Sequence, residues 1–325
     1  MKQNRHSFFR ALPALGLLGG LLWLACRAPL ALPVNKPDLP AADELPEAML
    51  QQTEEAVIFE SDLPPVSAAP AEEAALAVST AQYQSTGTVY YKNQTDYEID
   101  LPAMLQKPSP VRLGSDGVQV LIMHTHGTEA YTPSPGHEYT PSGDYRTLDS
   151  ACNMLSVGEK ICDCLNQRGI SAVHSTTLND YPAYNGAYTR ALADINAWIE
   201  QYPSVTLVID VHRDAIGTAG NYVKTAAQVN GRQTAQLMFV TGTDQGGRNH
   251  PNWRDNLTFQ AQIHDRLNSV YPGIMRPISI RTGRFNQHIR KGSMLVEVGA
   301  CGNTLEEALA AAELFANALA DALLE

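Results

Sequence analysis

The chain predicts an α/β fold: an open, twisted, parallel-rich sheet with helices on both faces, preceded by an anchor and a disordered linker. Three observations carry that prediction. Short apolar runs alternate with stretches of helical spacing from about residue 118 onward. One of them, Val205–His212, is apolar on both faces, as a central parallel strand requires. Three runs, Val118–His126, Val205–His212 and Ser293–Val298, end in or enclose a chemically competent polar residue. Functional sites of open α/β sheets lie beyond the carboxyl ends of the strands.

The amino terminus reads differently from the rest. Residues 1–27 carry Lys2, Arg5, Arg10 and Arg27, no acid, and an apolar stretch from Ala11 to Ala25. A basic start before an apolar stretch of about 15 residues is a signal or membrane-anchor pattern. The positive flank directs the remainder out of the cytoplasm. An uncleaved anchor is preferred over a cleaved signal or a lipid-attached Cys26. Residues 28–85 hold ten acids against Lys36, eight prolines and no glycine. Such a segment repels itself and buries little, so it reads as an extended acidic tether. Residues 86–325 form the predicted folded domain.

Within that domain Val118–His126 is the first strand. Asp149–Arg168 has helical spacing and stops at Gly169, a suitable C-cap. Ile170–His174 is a strand, Asn185–Tyr202 a helix ended by Pro203, and Val205–His212 the central strand. Gln236–Thr241 is a strand and Trp253–Tyr271 a helix that ends before Pro272. Ser293–Val298 is a strand, and Thr304–Leu324 a long helix capped by Asn303 or Thr304. Cys152, Cys162, Cys164 and Cys301 read as small buried thiols; no C-x-x-C pair marks a zinc-thiolate site. The net charge of −11 argues against nucleic acid as a partner.

The chemistry concentrates in Met123-His124-Thr125-His126-Gly127-Thr128-Glu129. Strand alternation predicts that His124 and His126 point to one side. Two imidazoles beside a carboxylate are what a zinc site needs. Catalysis requires three protein ligands and an open position, plus a separate carboxylate to move the proton. His126 and His212 are the expected metal ligands and Glu297 that carboxylate. A charged group between Val296 and Val298 is costly to bury without a role. The third ligand is Asp149, with Glu129 competing; the other reading of Asp149 is a helix N-cap. Arg213 and Asp214 adjoin His212. Arg284, Asn286 and His288 are candidates to approach substrate. His137, His174, His250 and His264 read as surface or loop histidines.

These stretches, with Arg146-Thr147-Leu148-Asp149, Ile209-Asp210-Val211-His212-Arg213-Asp214 and Leu295-Val296-Glu297-Val298-Gly299, carry a resemblance. The chain resembles the stage II sporulation protein P family over about residues 118–325, and in its anchor-and-tether layout. Its catalytic part is similar to zinc-dependent N-acetylmuramoyl-L-alanine amidases. The resemblance implies a zinc amidase-like fold, with His126 as first ligand, Asp149 where the amidase pattern has Glu, His212 as a further ligand and Glu297 as general base and acid. His124 has no counterpart in that pattern; it and Glu129 stand near the ligands or the substrate.

The resemblance further implies a Zn2+-dependent hydrolase of peptidoglycan, cutting the N-acetylmuramoyl-L-alanine amide and also stem-peptide cross-links. It implies work at the sporulation septum and engulfing membrane, with stage II sporulation proteins D and M as partners. The rivals are a zinc carboxypeptidase-like peptidase and an inactive wall-binding scaffold. An amidohydrolase barrel, which also opens with strand-His-x-His, needs eight βα units that the length after His126 does not hold.

Overall fold

The computed structural model describes residues 83–218 and 220–325, with Pro37. The anchor expected at 1–27 and most of the tether expected at 28–85 lie outside the described residues. The sheet begins inside the segment read as tether, because β1 is Gln84–Thr86. It turns at Gly87, whose φ of 59° is one that glycine adopts freely, into β2, Val89–Asn93. A short helix α1, Leu101–Leu105, follows, its first turn capped by Asp100.

The remaining elements follow the predicted alternation. They are β3 (Val120–Met123), α2 (Met154–Gln167), β4 (Ala172–His174), α3 (Ala187–Gln201) and β5 (Leu207–Asp214). Two small hairpins come next: β6 (Gly217–Thr218) with β7 (Asn221–Tyr222), and β8 (Ala226–Val229) with β9 (Arg232–Ala235). Then come β10 (Leu237–Thr241), α4 (Trp253–Val270), β11 (Ile278–Ile280), a 3-10 turn at Gln287–Ile289, β12 (Met294–Ala300) and α5 (Leu305–Leu324).

Eight strands form one sheet in the order β1-β2-β11-β10-β12-β5-β3-β4. Only β1–β2 and β10–β12 are antiparallel; the other neighbours run parallel. On one face Val120, Ile122, Leu207, Ile209, Val211, Val296 and Val298 pack with α2, α4 and α5 in the main core. On the other, Leu121, Met123 and Val208 meet Ala191, Ile195 and Trp198 of α3. Side chains alternate along a strand, so Asp210 and His212 of β5 share this second face with Val208. Glu297 shares it with Leu295 on β12, and Glu297 is paired in register with His212.

Two local expectations are corrected, and one open choice is decided. The first strand ends at Met123, so its alternation does not extend to His124 and His126. Helix α2 starts at Met154 under an Asn153 cap that accepts the Leu155 N–H, and not at Asp149. Of the two candidate caps for α5, Thr304 serves: its side chain and that of Glu307 form a reciprocal capping box. The four cysteines of the folded part are buried and free, as read. Among the described residues no helix is long and apolar enough to cross a membrane.

Candidate active site

The loop after β3 is held by two buried carboxylates. The N–H and hydroxyl of Thr125 donate to Asp210 at 2.8 and 2.6 Å. The Thr128 hydroxyl donates to Asp180 at 2.5 Å, and its N–H lies 3.2 Å from the same group. Between these pins His126 is turned onto the α3 face of the sheet. Its ring stacks on Tyr184 at 4.5 Å and 7°, and meets the edges of His212 at 5.4 Å and Tyr188 at 5.7 Å.

Glu129 follows one turn later and is buried. Its Oε2 stands 3.6 Å from His212 Nδ1 and accepts the Arg213 N–H at 3.3 Å. Its Oε1 faces Arg213 Nη1 at 3.5 Å and Arg146 Nη2 at 3.4 Å. Burial disfavours its charge, yet Arg213, His212 and Arg146 hold it below the ordinary carboxylate range. On the other side of His212, Nε2 lies 2.9 Å from Asp210 Oδ1, too far off line for a hydrogen bond. Burial opposes a charge on His212, but Asp210 and Glu129 overcome it and raise its pKa well above the usual value. Two carboxylates facing one imidazole favour a cation at that point. His126, buried and with less compensation, is pushed down to about 3 and stays neutral.

Glu297 lies beside His212 with both carboxylate oxygens buried and without hydrogen-bond partners. Burial raises its pKa to about 8; His212 works against the rise, and Asp214 and Glu129 add to it. A carboxylate poised near neutrality and left unpaired suits proton transfer. Asp214 is occupied elsewhere, accepting from Arg276 Nη2 at 2.7 Å.

The structure thus brings together His126, Glu129, His212 and Glu297. It does not bring Asp149 to them. Asp149 is exposed in the turn before α2, where its carboxylate accepts the Ala151 N–H at 3.0 Å. Arg213 ties the loop down through Ala130 O at 2.9 Å. Arg284 reaches Asn249 O at 3.5 Å, and Asn286 donates to Tyr188 O at 2.8 Å. His124 points away from His126, because the chain leaves the extended conformation after Met123. Its Nδ1 donates to Val211 O at 2.8 Å, which leaves Nε2 to accept from His174 Nε2 at 2.8 Å. The reading of His174 and His264 as surface or loop residues is also corrected, since they lie in β4 and α4; His250 does lie in a loop. His250 and His264 are fully buried, and the His174 ring is shut in beside His124.

Sequence reasoning missed Asp180, Tyr184 and Tyr188, and gave Asp210 and Arg146 no role of their own. Asp210 had a signal: it is two residues before His212, hence on the same face of a strand. Asp180 and the tyrosines sit in and after a long loop with no periodicity to place them.

Among the described residues no three His, Cys, Asp or Glu side chains are already spaced to hold a metal ion. The donor chemistry nevertheless fits zinc: two imidazoles and one ionised carboxylate meet at a point that favours a cation. Each imidazole also has a carboxylate beside one nitrogen, Asp180 3.9 Å from His126 Nδ1 and Asp210 2.9 Å from His212 Nε2. Neither contact is a hydrogen bond, so these carboxylates act on the rings through their charge.

The family model described as stage II sporulation protein P matches residues 36–320. Stage II sporulation protein P of Bacillus subtilis (strain 168) is 27% identical over 232 residues, 67% of this chain and 55% of that protein. The chain therefore matches about half the length of that relative. Among solved structures, the N-acetylmuramoyl-L-alanine amidase AmiC2 of Nostoc punctiforme is 17% identical, covering 65% of this chain and 97% of its own at a TM-score of 0.34. The apo amidase Ami1 of Mycobacterium abscessus is 15% identical, covering 64% and 98% at a TM-score of 0.39.

Proposed function

This chain belongs to the stage II sporulation protein P family, and from that premise we propose that it is a zinc-dependent hydrolase of peptidoglycan. The bond cut is the amide between the muramic lactyl group and L-alanine. The observation that carries the reading is Glu297: a buried carboxylate with neither oxygen paired, in register with His212 and next to Glu129.

His126, Glu129 and His212 would hold the zinc, with Glu129 replacing Asp149 as third ligand. When bound, zinc supplies a Lewis acid that polarises the carbonyl and acidifies water. The protein does the rest. Glu297 takes the proton of the attacking water and delivers it to the leaving nitrogen. Asp210 and Asp180 hold the loop that carries His126, through Thr125 and Thr128, and add negative charge beside the two imidazoles. Arg213 and Arg146 keep Glu129 ionised, so that it is ready to bind a cation at neutral pH.

The membrane-anchored, extracytoplasmic setting at the sporulation septum and the partnership with stage II sporulation proteins D and M belong to the same proposal. They rest on the family and on residues 1–27. The test is mass spectrometry of products from purified sacculi, with the metal removed and restored. Release of whole stem peptides beginning with L-alanine supports the amidase. Release of free terminal amino acids would favour a carboxypeptidase, and no release would favour a scaffold.

A further inference from the structure

Tyr188 stands on the first turn of α3, beside His126. Its ring meets the edge of His126 at 5.7 Å and 84°. Its hydroxyl is buried and has no hydrogen-bond partner among the described residues. A buried hydroxyl left unpaired costs stability, and native proteins keep few of them. The hydroxyl is also within electrostatic reach of Asp210, Glu297 and Glu129, the groups that line the reaction centre.

The tyrosine is held in place from behind. Phe285 packs against its ring at 6.0 Å, and Asn286 Nδ2 donates to its backbone oxygen at 2.8 Å. Phe285 and Asn286 are consecutive non-glycine residues with φ of 50° and 53°. Asparagine enters that left-handed conformation readily, but a bulky side chain such as Phe285 rarely does, and such strain accumulates near functional sites. A strained turn and an unpaired hydroxyl thus converge on one side chain beside His126. Phenylalanine would fill the same space at lower cost, so the oxygen needs an explanation that packing does not supply.

We propose that Tyr188 is a catalytic residue whose hydroxyl donates a hydrogen bond to the carbonyl oxygen of the scissile amide and to the oxyanion that forms there. The inference rests on the hydrolase reading of this site. In the step it serves, the water oxygen bonds to the carbonyl carbon while its proton passes to Glu297. The carbonyl π pair moves onto the oxygen that Tyr188 faces. That pair returns as the carbon–nitrogen bond breaks, and the proton on Glu297 goes to the departing amine. Tyr188 keeps its own proton throughout; only the strength of its hydrogen bond changes, which is what transition-state stabilisation requires.

The experiment compares the full-length wild-type chain, Tyr188→Phe and Glu297→Gln on a soluble muropeptide. Zinc content, thermal midpoint and affinity for a phosphinate analogue of the tetrahedral intermediate are measured on each. For Tyr188→Phe, kcat should fall about 100- to 1,000-fold, as on loss of one oxyanion donor. Its KM and zinc content should be unchanged, its thermal midpoint equal or higher, and its phosphinate affinity lower by a similar factor. An undiminished kcat in Tyr188→Phe beside an active wild type overturns this inference alone. So does a lowered midpoint with loss of zinc, since the hydroxyl would then be structural. A wild type that cleaves nothing when loaded with zinc sinks the hydrolase reading as well.

Discussion

Glu297 and His212 occupy paired positions on adjacent parallel strands, on the same face of the sheet. Neighbouring strands lie about 4.8 Å apart, so the register alone places the carboxylate beside the imidazole. Both strands are buried at every position, and the regular register ends at this pair, since it shifts between Glu297 and Ala300. A proton acceptor fixed beside a metal ligand is the arrangement that hydrolysis needs.

Glu297→Gln keeps the size of the side chain and removes its basicity. Amide cleavage should fall by about 10²- to 10⁴-fold, the range for loss of general acid–base catalysis. Zinc content, read by elemental analysis, should match the parent, because Glu297 is not among the expected ligands. A variant that loses zinc in step with activity would make Glu297 a ligand and leave the base unidentified.

The choice between Glu129 and Asp149 yields a second prediction. Glu129 is buried, ionised and 3.6 Å from His212 Nδ1, whereas Asp149 is exposed and caps a turn. Glu129→Ala should lower zinc affinity by at least about 100-fold, beyond what outer partners of a metal site contribute. Asp149→Ala should bind zinc as the parent does and lose at most about 1 kcal/mol of stability with its cap. Competition against a chromogenic chelator measures both. The reverse pattern would restore Asp149 as the third ligand.

This contrast also marks how much could be read in the sequence. The strands β3, β5 and β12 were legible because they are largely apolar runs, and so were the polar residues at or near their ends. Asp149 was misplaced because α2 starts at Met154, and the cap that decides this, Asn153, has the same short polar character as Asp149. His124 was misdirected because alternation holds only while the chain stays extended, and here it stops at Met123. Strands β1, β2 and β11 are short, and β1 and β2 are partly exposed, so no hydrophobic period announced them. Asp180 reaches the site from a loop, where sequence spacing carries no geometric information.

The His124–His174 pair under the loop can be tested through Gly158. A Cβ at this position in α2 would lie 2.5 Å from Nε2 of both rings. Alanine normally favours a helix over glycine by about 1 kcal/mol. Here Gly158→Ala should instead destabilise by about 1–3 kcal/mol, the usual cost of overpacking. Urea unfolding followed by circular dichroism gives the sign directly. A stabilised variant would mean that the two rings do not meet beneath the helix.

The buried histidines predict how stability follows pH. His264 lies in α4, far from the metal ligands in sequence, fully buried and donating to Arg276 O at 3.2 Å. Burial lowers its pKa to about 4, against about 6.5 for an unfolded chain. Above pH 6.5 the ring is neutral in both states and its contribution is intact. Between pH 6.5 and 4 the unfolded chain takes up a proton that the folded chain refuses. Stability should therefore fall with pH, by about 1.4 kcal/mol per unit for each such histidine. His124 and His250, also held near 4 by burial, add to the slope of the parent. In the chelated full chain, urea unfolding across this window should be shallower for His264→Gln by one proton's worth. Equal slopes for parent and variant would show that His264 takes up its proton without unfolding, and that its surroundings admit charge or water.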